Sequence, residues 1–206
     1  PGSMLMHGTN SGWGGWADNL SMIMYILIPW LYNIFRMSNW TVRRFLEIYF
    51  SIVVTYAVMR WISGWGLGIN LELFSVSIGL WAISEFLFKF WSPLFRFLSG
   101  FVGFFVLALF GTTPLDVIAN FAEFWWVVLF WVPGLLSNKK PTTTRTYKWY
   151  FCGMAAYFSA FIIWSTGVPD HALCRPDSLI QAHGIWHLLS AVATYCFFLH
   201  YRSESA

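Results

Sequence analysis

Long apolar stretches separated by short polar breaks dominate the pattern of this 206-residue chain. A helix that crosses a bilayer needs about 20 mostly apolar residues. The pattern predicts seven such helices, over residues 17–35, 45–62, 70–88, 94–111, 115–136, 147–166 and 179–201. The breaks are rich in Ser, Asn, Gly, Thr and Pro, which mark turns and helix ends. We therefore expect an all-α fold, a polytopic transmembrane helix bundle of about seven spans.

Two of the seven segments have a weaker pattern than the others. Segment 94–111 is short, and Asp116, Asn120 and Glu123 make the start of segment 115–136 partly polar. Two prolines, Pro29 and Pro133, fall inside predicted helices. Because proline removes a backbone donor and clashes with the preceding turn, each should kink or end its helix.

Composition agrees with a multi-pass integral membrane protein. The chain is 58% hydrophobic and 10% charged, whereas a soluble domain carries about 25% charged residues. The net charge of +3 comes without a basic cluster on a polar face, so we expect no nucleic-acid partner. The three cysteines, Cys152, Cys174 and Cys196, have no metal-ligand spacing, and a disulfide framework is not expected.

The basic residues predict an orientation. When loops alternate sides across seven spans, ten Lys and Arg residues fall on one side, and Arg60 and Arg175 fall on the other. Because positive loops stay in the cytoplasm, this split predicts an N-terminus outside. Asp18 and the histidines His183 and His187 then lie near the same, non-cytoplasmic face.

His183 and His187 are the first candidates for chemistry, because residues four apart on a helix share a face. Two such imidazoles can hold one metal ion or can simply hydrogen-bond between packed helices. Asp18 is either a functional carboxylate or a helix cap.

His171 and Cys174 either add a ligand or belong to a surface loop. His200 lies too far along the helix, and packing roles are expected for Glu85 and Glu123.

A set of spaced residues at the two ends of the chain sharpens this picture. Ser3-x-x-x-His7, Asp18 and His183-x-x-x-His187 resemble the signature of the alkaline ceramidases. That family belongs to a superfamily of seven-helix membrane hydrolases that includes the adiponectin receptors. The resemblance implies that His7, His183 and His187 bind Zn²⁺. It also implies that Asp18 deprotonates a zinc-activated water and that Ser3 hydrogen-bonds this water or the oxyanion.

The function that this resemblance implies is zinc-dependent hydrolysis of a ceramide-like lipid amide in sphingolipid metabolism, with the acyl chain between helices. The alternative is a catalytically inactive or receptor-like relative that serves as a structural subunit, with partner subunits, of a membrane complex. Residues 1–206 are expected to form a single transmembrane domain lacking one or two of the family's N-terminal helices. Pro1-Gly2-Ser3 is either the remnant of a cleaved tag or a native stretch.

Overall fold

The computed structural model describes residues 2–63, 73–109, 111–167, 171, 174 and 181–205. Of these residues 83% are helical, and they contain no strand. An isolated antiparallel bridge pairs Thr144 with Ser205. The all-α class predicted from the sequence is confirmed. The chain forms two compact units, Pro1–Pro141 and Thr142–Ala206, and each is described by itself.

Nine α-helices and two 3-10 segments make up the described part of the first unit. The helices are α1 (Gly2–Thr9), α2 (Gly12–Arg36), α3 (Val42–Ser63), α4 (Leu73–Phe90), α5 (Pro93–Leu98), α6 (Val102–Leu109), α7 (Pro114–Ala119), α8 (Phe121–Phe124) and α9 (Val132–Leu136). The 3-10 segments are Ser99–Phe101 and Trp125–Trp131.

The polar breaks in the sequence start the helices that follow them. The Ser11 side chain accepts from the Gly14 N–H at 3.2 Å and caps α2. Ser92 accepts from Phe95 N–H at 3.1 Å, with Pro93 in the first turn of α5. Such side chains satisfy backbone donors that have no partner within the helix. The same residues therefore break one apolar run and begin the next.

Helix α4 is the central element of the first unit and has the largest buried share of the long apolar helices. Its Glu85 is almost fully buried. The Asn33 amide of α2 donates to the Glu85 carboxylate at 2.8 Å and also contacts the Ser84 hydroxyl at 3.0 Å. Because a buried polar group without a partner is costly, these bonds tie α2 to α4. The packing role expected for Glu85 agrees with this geometry.

The chain from α5 to α9 forms an antiparallel pair of segments whose contacts depend on small residues. A Cβ on Gly79 of α4 would lie 2.8 Å from the Phe130 ring, and a Cβ on Gly103 of α6 would collide with the same ring. Trp131 occupies the space beside Gly100 and donates its indole N–H to the Phe97 carbonyl at 2.8 Å. Because these glycines have no side chain, the rings of Phe130 and Trp131 can pack against their backbone.

The segments predicted as continuous helices over 94–111 and 115–136 differ from the structure. Each is a series of short helices with a 3-10 segment inside it. Glycines at 100 and 103 weaken the first run, and aromatic and β-branched residues at 125–131 weaken the second, because both types have low helix propensity. Pro133 lies in the first turn of α9, so a new helix begins at this proline. Pro29, by contrast, does not end α2.

The second unit is a helical hairpin of α10 (Tyr147–Ser165) and α11 (Ala182–Arg202). The helices run antiparallel, since Gly153 packs against the Phe197 ring at one level and Tyr157 contacts Trp186 at another. Arg145 and Glu204 form a buried ion pair at 2.7 Å that joins the two ends of the hairpin. Three helices in the described residues are long and apolar enough to cross a membrane: α3, α4 and α11.

Replacement of Gly103 by alanine is expected to destabilise the first unit by about 1–3 kcal/mol, because an added methyl overpacks the site of the Phe130 ring. Gly15→Ala is the matched control, since a Cβ there meets nothing within 4 Å. Its effect should stay within about 1 kcal/mol and should favour alanine. Denaturant unfolding in detergent micelles measures both. Equal stability of the two variants would contradict this packing.

Candidate metal centre

The histidine pair lies in the first two turns of α11. The Nε2 atoms of His183 and His187 are 3.0 Å apart. Their rings meet edge to face with centroids at 4.7 Å. This contact follows from the helix itself, because side chains at i and i+4 lie one above the other. The helix therefore presents two imidazole nitrogens at one place, as the sequence spacing predicts.

His7 and Ser3 share the short helix α1, also at positions i and i+4. Helix α1 folds back on the start of α2, and the turn between them contains Asn10, whose φ is 46°. The Thr9 hydroxyl bonds to the Leu5 carbonyl at 2.7 Å and to the Ser11 hydroxyl at 2.7 Å. His7 is thus held on a helix next to an ordered turn, and its side chain is exposed.

His7, His183 and His187 form a group that could hold a metal ion. Each offers one ring nitrogen, and these atoms lie within 4.8 Å of one another. Tetrahedral Zn²⁺ with bonds of 2.0–2.1 Å requires ligand atoms roughly 3.4 Å apart. The 3.0 Å separation within the pair is close to that value. Three neutral imidazoles are a ligand set that suits such an ion, with one position left open.

Asp18 and Ser3, predicted as catalytic residues, are brought near each other by the α1–α2 hairpin. A Cβ on Gly2 would lie 2.9 Å from the Asp18 Cα, so the residue before Ser3 touches the backbone of Asp18. Both side chains are half-buried. Among the described residues, the metal-ligating group consists of the three histidines and takes no oxygen from Asp18. The catalytic roles of both residues stay predictions.

Two glycines position the site, and sequence reasoning overlooked them. A Cβ on Gly14 would approach the Leu5 carbonyl oxygen to 2.7 Å, and Gly2 is buried against Ala17 and Asp18. Without side chains there, the backbones of α1 and α2 approach closely along the short helix. The signal in the sequence is the concentration of glycine around His7 and Asp18, which is unusual for helical segments.

The other predicted candidates lie elsewhere. His171 and Cys174 are joined by a backbone bond of 2.9 Å and do not belong to the metal-ligating group of the described residues. His200 is buried, bonds to the Thr146 carbonyl at 3.2 Å and contacts the Tyr147 ring, which is a packing role. Ser178, whose spacing from Gln181 in the sequence resembles a capping box for the last helix, lies outside the described residues.

Comparison of the chain with protein-family models, with curated proteins and with solved structures gives no match. A functional proposal for this protein therefore rests on the geometry of α11, of the α1–α2 hairpin and of the histidine group.

Removal of one histidine should abolish most metal binding. Since zinc ligands together contribute on the order of 10 kcal/mol or more, His187→Ala is expected to weaken zinc binding on the order of 10²-fold or more. His171→Ala is the matched control, because His171 is exposed and outside the histidine group. Metal analysis of the purified proteins measures the effect. Equal metal content in wild type and His187→Ala would contradict the site.

Proposed function

We propose that this protein is an integral membrane, zinc-dependent amidohydrolase that cleaves a ceramide-like lipid amide. The observation that carries the proposal is the group formed by His7, His183 and His187, with nitrogens within 4.8 Å of one another. The Ser3, His7, Asp18, His183 and His187 pattern that resembles the alkaline ceramidases supports it further. Hydrolysis would yield a fatty acid and an amine.

The proposal includes seven membrane spans with the N-terminus outside. Five of the predicted segments coincide with long helices of 18 to 25 residues. The two broken segments, Pro93–Leu109 and Phe121–Leu136, are shorter apolar runs. Because 3-10 helix rises about 2.0 Å per residue against 1.5 Å for α-helix, the rises along each run add up to about 27 Å. That length is close to the roughly 30 Å of a bilayer's hydrocarbon core.

Each residue of the site has a defined task in this proposal. The imidazoles of His7, His183 and His187 hold the ion. A zinc ion bound there would supply a Lewis acid and bring the pKa of a water ligand to about 7. Asp18 accepts the proton of the attacking water, and the Ser3 hydroxyl donates a hydrogen bond to the oxyanion that forms at the amide carbonyl.

The substrate class rests on the resemblance to the alkaline ceramidases, which implies a ceramide-like lipid amide. Helix α11 also exposes large apolar side chains, among them Leu188, Val192 and Tyr195. At about 100° per residue these side chains lie on a different face of the helix from His183 and His187. They fit contact with lipid, as the proposed membrane placement requires.

Asp18→Asn should leave zinc bound and lower turnover of a ceramide substrate by on the order of 10²-fold or more, because the amide cannot accept the proton. Asp116→Asn is the matched control, since Asp116 is an exposed carboxylate in the capping box of α7. Hydrolysis and metal content are measured together on the same detergent-solubilised samples.

Full activity in Asp18→Asn would refute the role of this carboxylate. Equal loss of zinc and of helical structure would assign Asp18 a structural role instead. A wild-type protein that binds zinc but hydrolyses no lipid amide would favour the receptor-like or structural-subunit function.

The orientation makes a separate prediction. With Cys152 and Cys196 replaced by alanine, Cys174 is the one remaining thiol. An impermeant maleimide should label it in intact cells, because the predicted topology places it on the non-cytoplasmic side. A variant without cysteine controls for background. Labelling that requires permeabilisation would reverse the topology or remove one of the two broken spans.

A further inference from the structure

Positively charged side chains collect at one end of the first unit. Helix α2 ends at Arg36, the first turn of α3 contains Arg43 and Arg44, and α4 ends just after Lys89. Arg96 lies on α5, which starts at this end, and Lys139 and Lys140 follow α9, which finishes there. Turns and helix ends that are far apart in the sequence thus contribute to one region.

Three hydrogen bonds fix these segments to one another. The Lys139 N–H donates to the Met37 carbonyl at 2.8 Å, which joins the end of the unit to the α2–α3 turn. The Trp91 indole donates to the Ser137 carbonyl at 3.1 Å. Arg96 Nε donates to the Gly134 carbonyl at 3.0 Å. The proximity of the cations is therefore built into the fold of this unit.

Five of these cations are exposed, and we name them the basic surface: Arg43, Arg44, Lys89, Lys139 and Lys140. Arg36 and Arg96 are half-buried beside it. The described carboxylates at this end are Glu47, which pairs with Arg43 at 2.7 Å, and the buried Glu85. Positive charge is therefore in clear excess over negative charge here.

Apolar side chains border the basic surface directly. On α3, Val42, Leu46 and Phe50 are 62%, 43% and 55% exposed, next to Arg43 and Arg44. A soluble polyanion would leave these side chains in water. A phospholipid matches both parts, since its phosphate lies within a few ångströms of its acyl chains. Anionic headgroups attract Lys and Arg that lie just outside a spanning helix.

We propose that the basic surface binds the headgroups of anionic phospholipids and enriches them around this end of the protein. This inference rests on the membrane placement proposed above but needs neither zinc nor hydrolysis. Asp18 and Arg36 are 18 residues apart on the same helix, which is about 27 Å at 1.5 Å per residue. The surface is therefore separate from the Ser3 and Asp18 region.

The test compares lipid neighbours of the full-length protein in vesicles of phosphatidylcholine that contain a minor fraction of labelled phosphatidylglycerol. Energy transfer from the protein's tryptophans reports the enrichment of the labelled lipid over labelled phosphatidylcholine. The quadruple variant R43Q/R44Q/K139Q/K140Q should lower this enrichment at least about fivefold, because the contribution of a single cation near an anionic surface already corresponds to about this factor. Molar salt should lower it in the wild type.

D116N/E123Q is the matched control, because it changes charge at exposed positions away from the basic surface and should leave the enrichment unchanged. Circular dichroism checks that each variant folds, and the pairs R43Q/R44Q and K139Q/K140Q replace the quadruple variant if it does not. Enrichment that is absent in the wild type, or unchanged in folded variants, overturns the inference. A protein that does not enter vesicles of any composition contradicts the membrane placement as well.

Discussion

Polar groups in so apolar a chain are costly to bury without a partner, and this constraint shapes both units. A helix satisfies its own backbone donors and acceptors, which the proposed membrane placement requires because an unsatisfied group in hydrocarbon costs several kcal/mol. Hydroxyl side chains such as Ser84 and Thr194 bond back to carbonyls of their own helices at 2.8 Å. Asn33 donates to Glu85 and Arg145 pairs with Glu204. His183 and His187 contact each other within α11, with their Nε2 atoms 3.0 Å apart.

Much of the helical pattern could be predicted from the sequence because apolar length and polar breaks act locally. Ser92 with Pro93, for example, marks both the end of one apolar run and the start of α5. The broken course of Pro93–Leu109 and Phe121–Leu136 could not be predicted in this way. It depends on the fit of Phe130 against Gly79 and Gly103, which joins residues that are far apart in the sequence.

The candidate site was predictable to a similar degree. The spacing of His183 and His187 fixes their contact, since one helix carries both. The addition of His7 to the group follows from no local pattern and was predicted through a family resemblance. The close approach of α1 and α2 at Gly2 and Gly14 was not predicted, because it is a property of two backbones rather than of either sequence segment.

X-ray absorption at the zinc edge on the purified protein decides whether the three histidines bind zinc. We expect a zinc ion with three imidazole nitrogens and one oxygen at about 2.0–2.1 Å, the ligand set of a site with an open position. A protein without zinc, a sulfur ligand at about 2.3 Å, or fewer than three imidazoles bound to the ion would show that the histidines do not form this site.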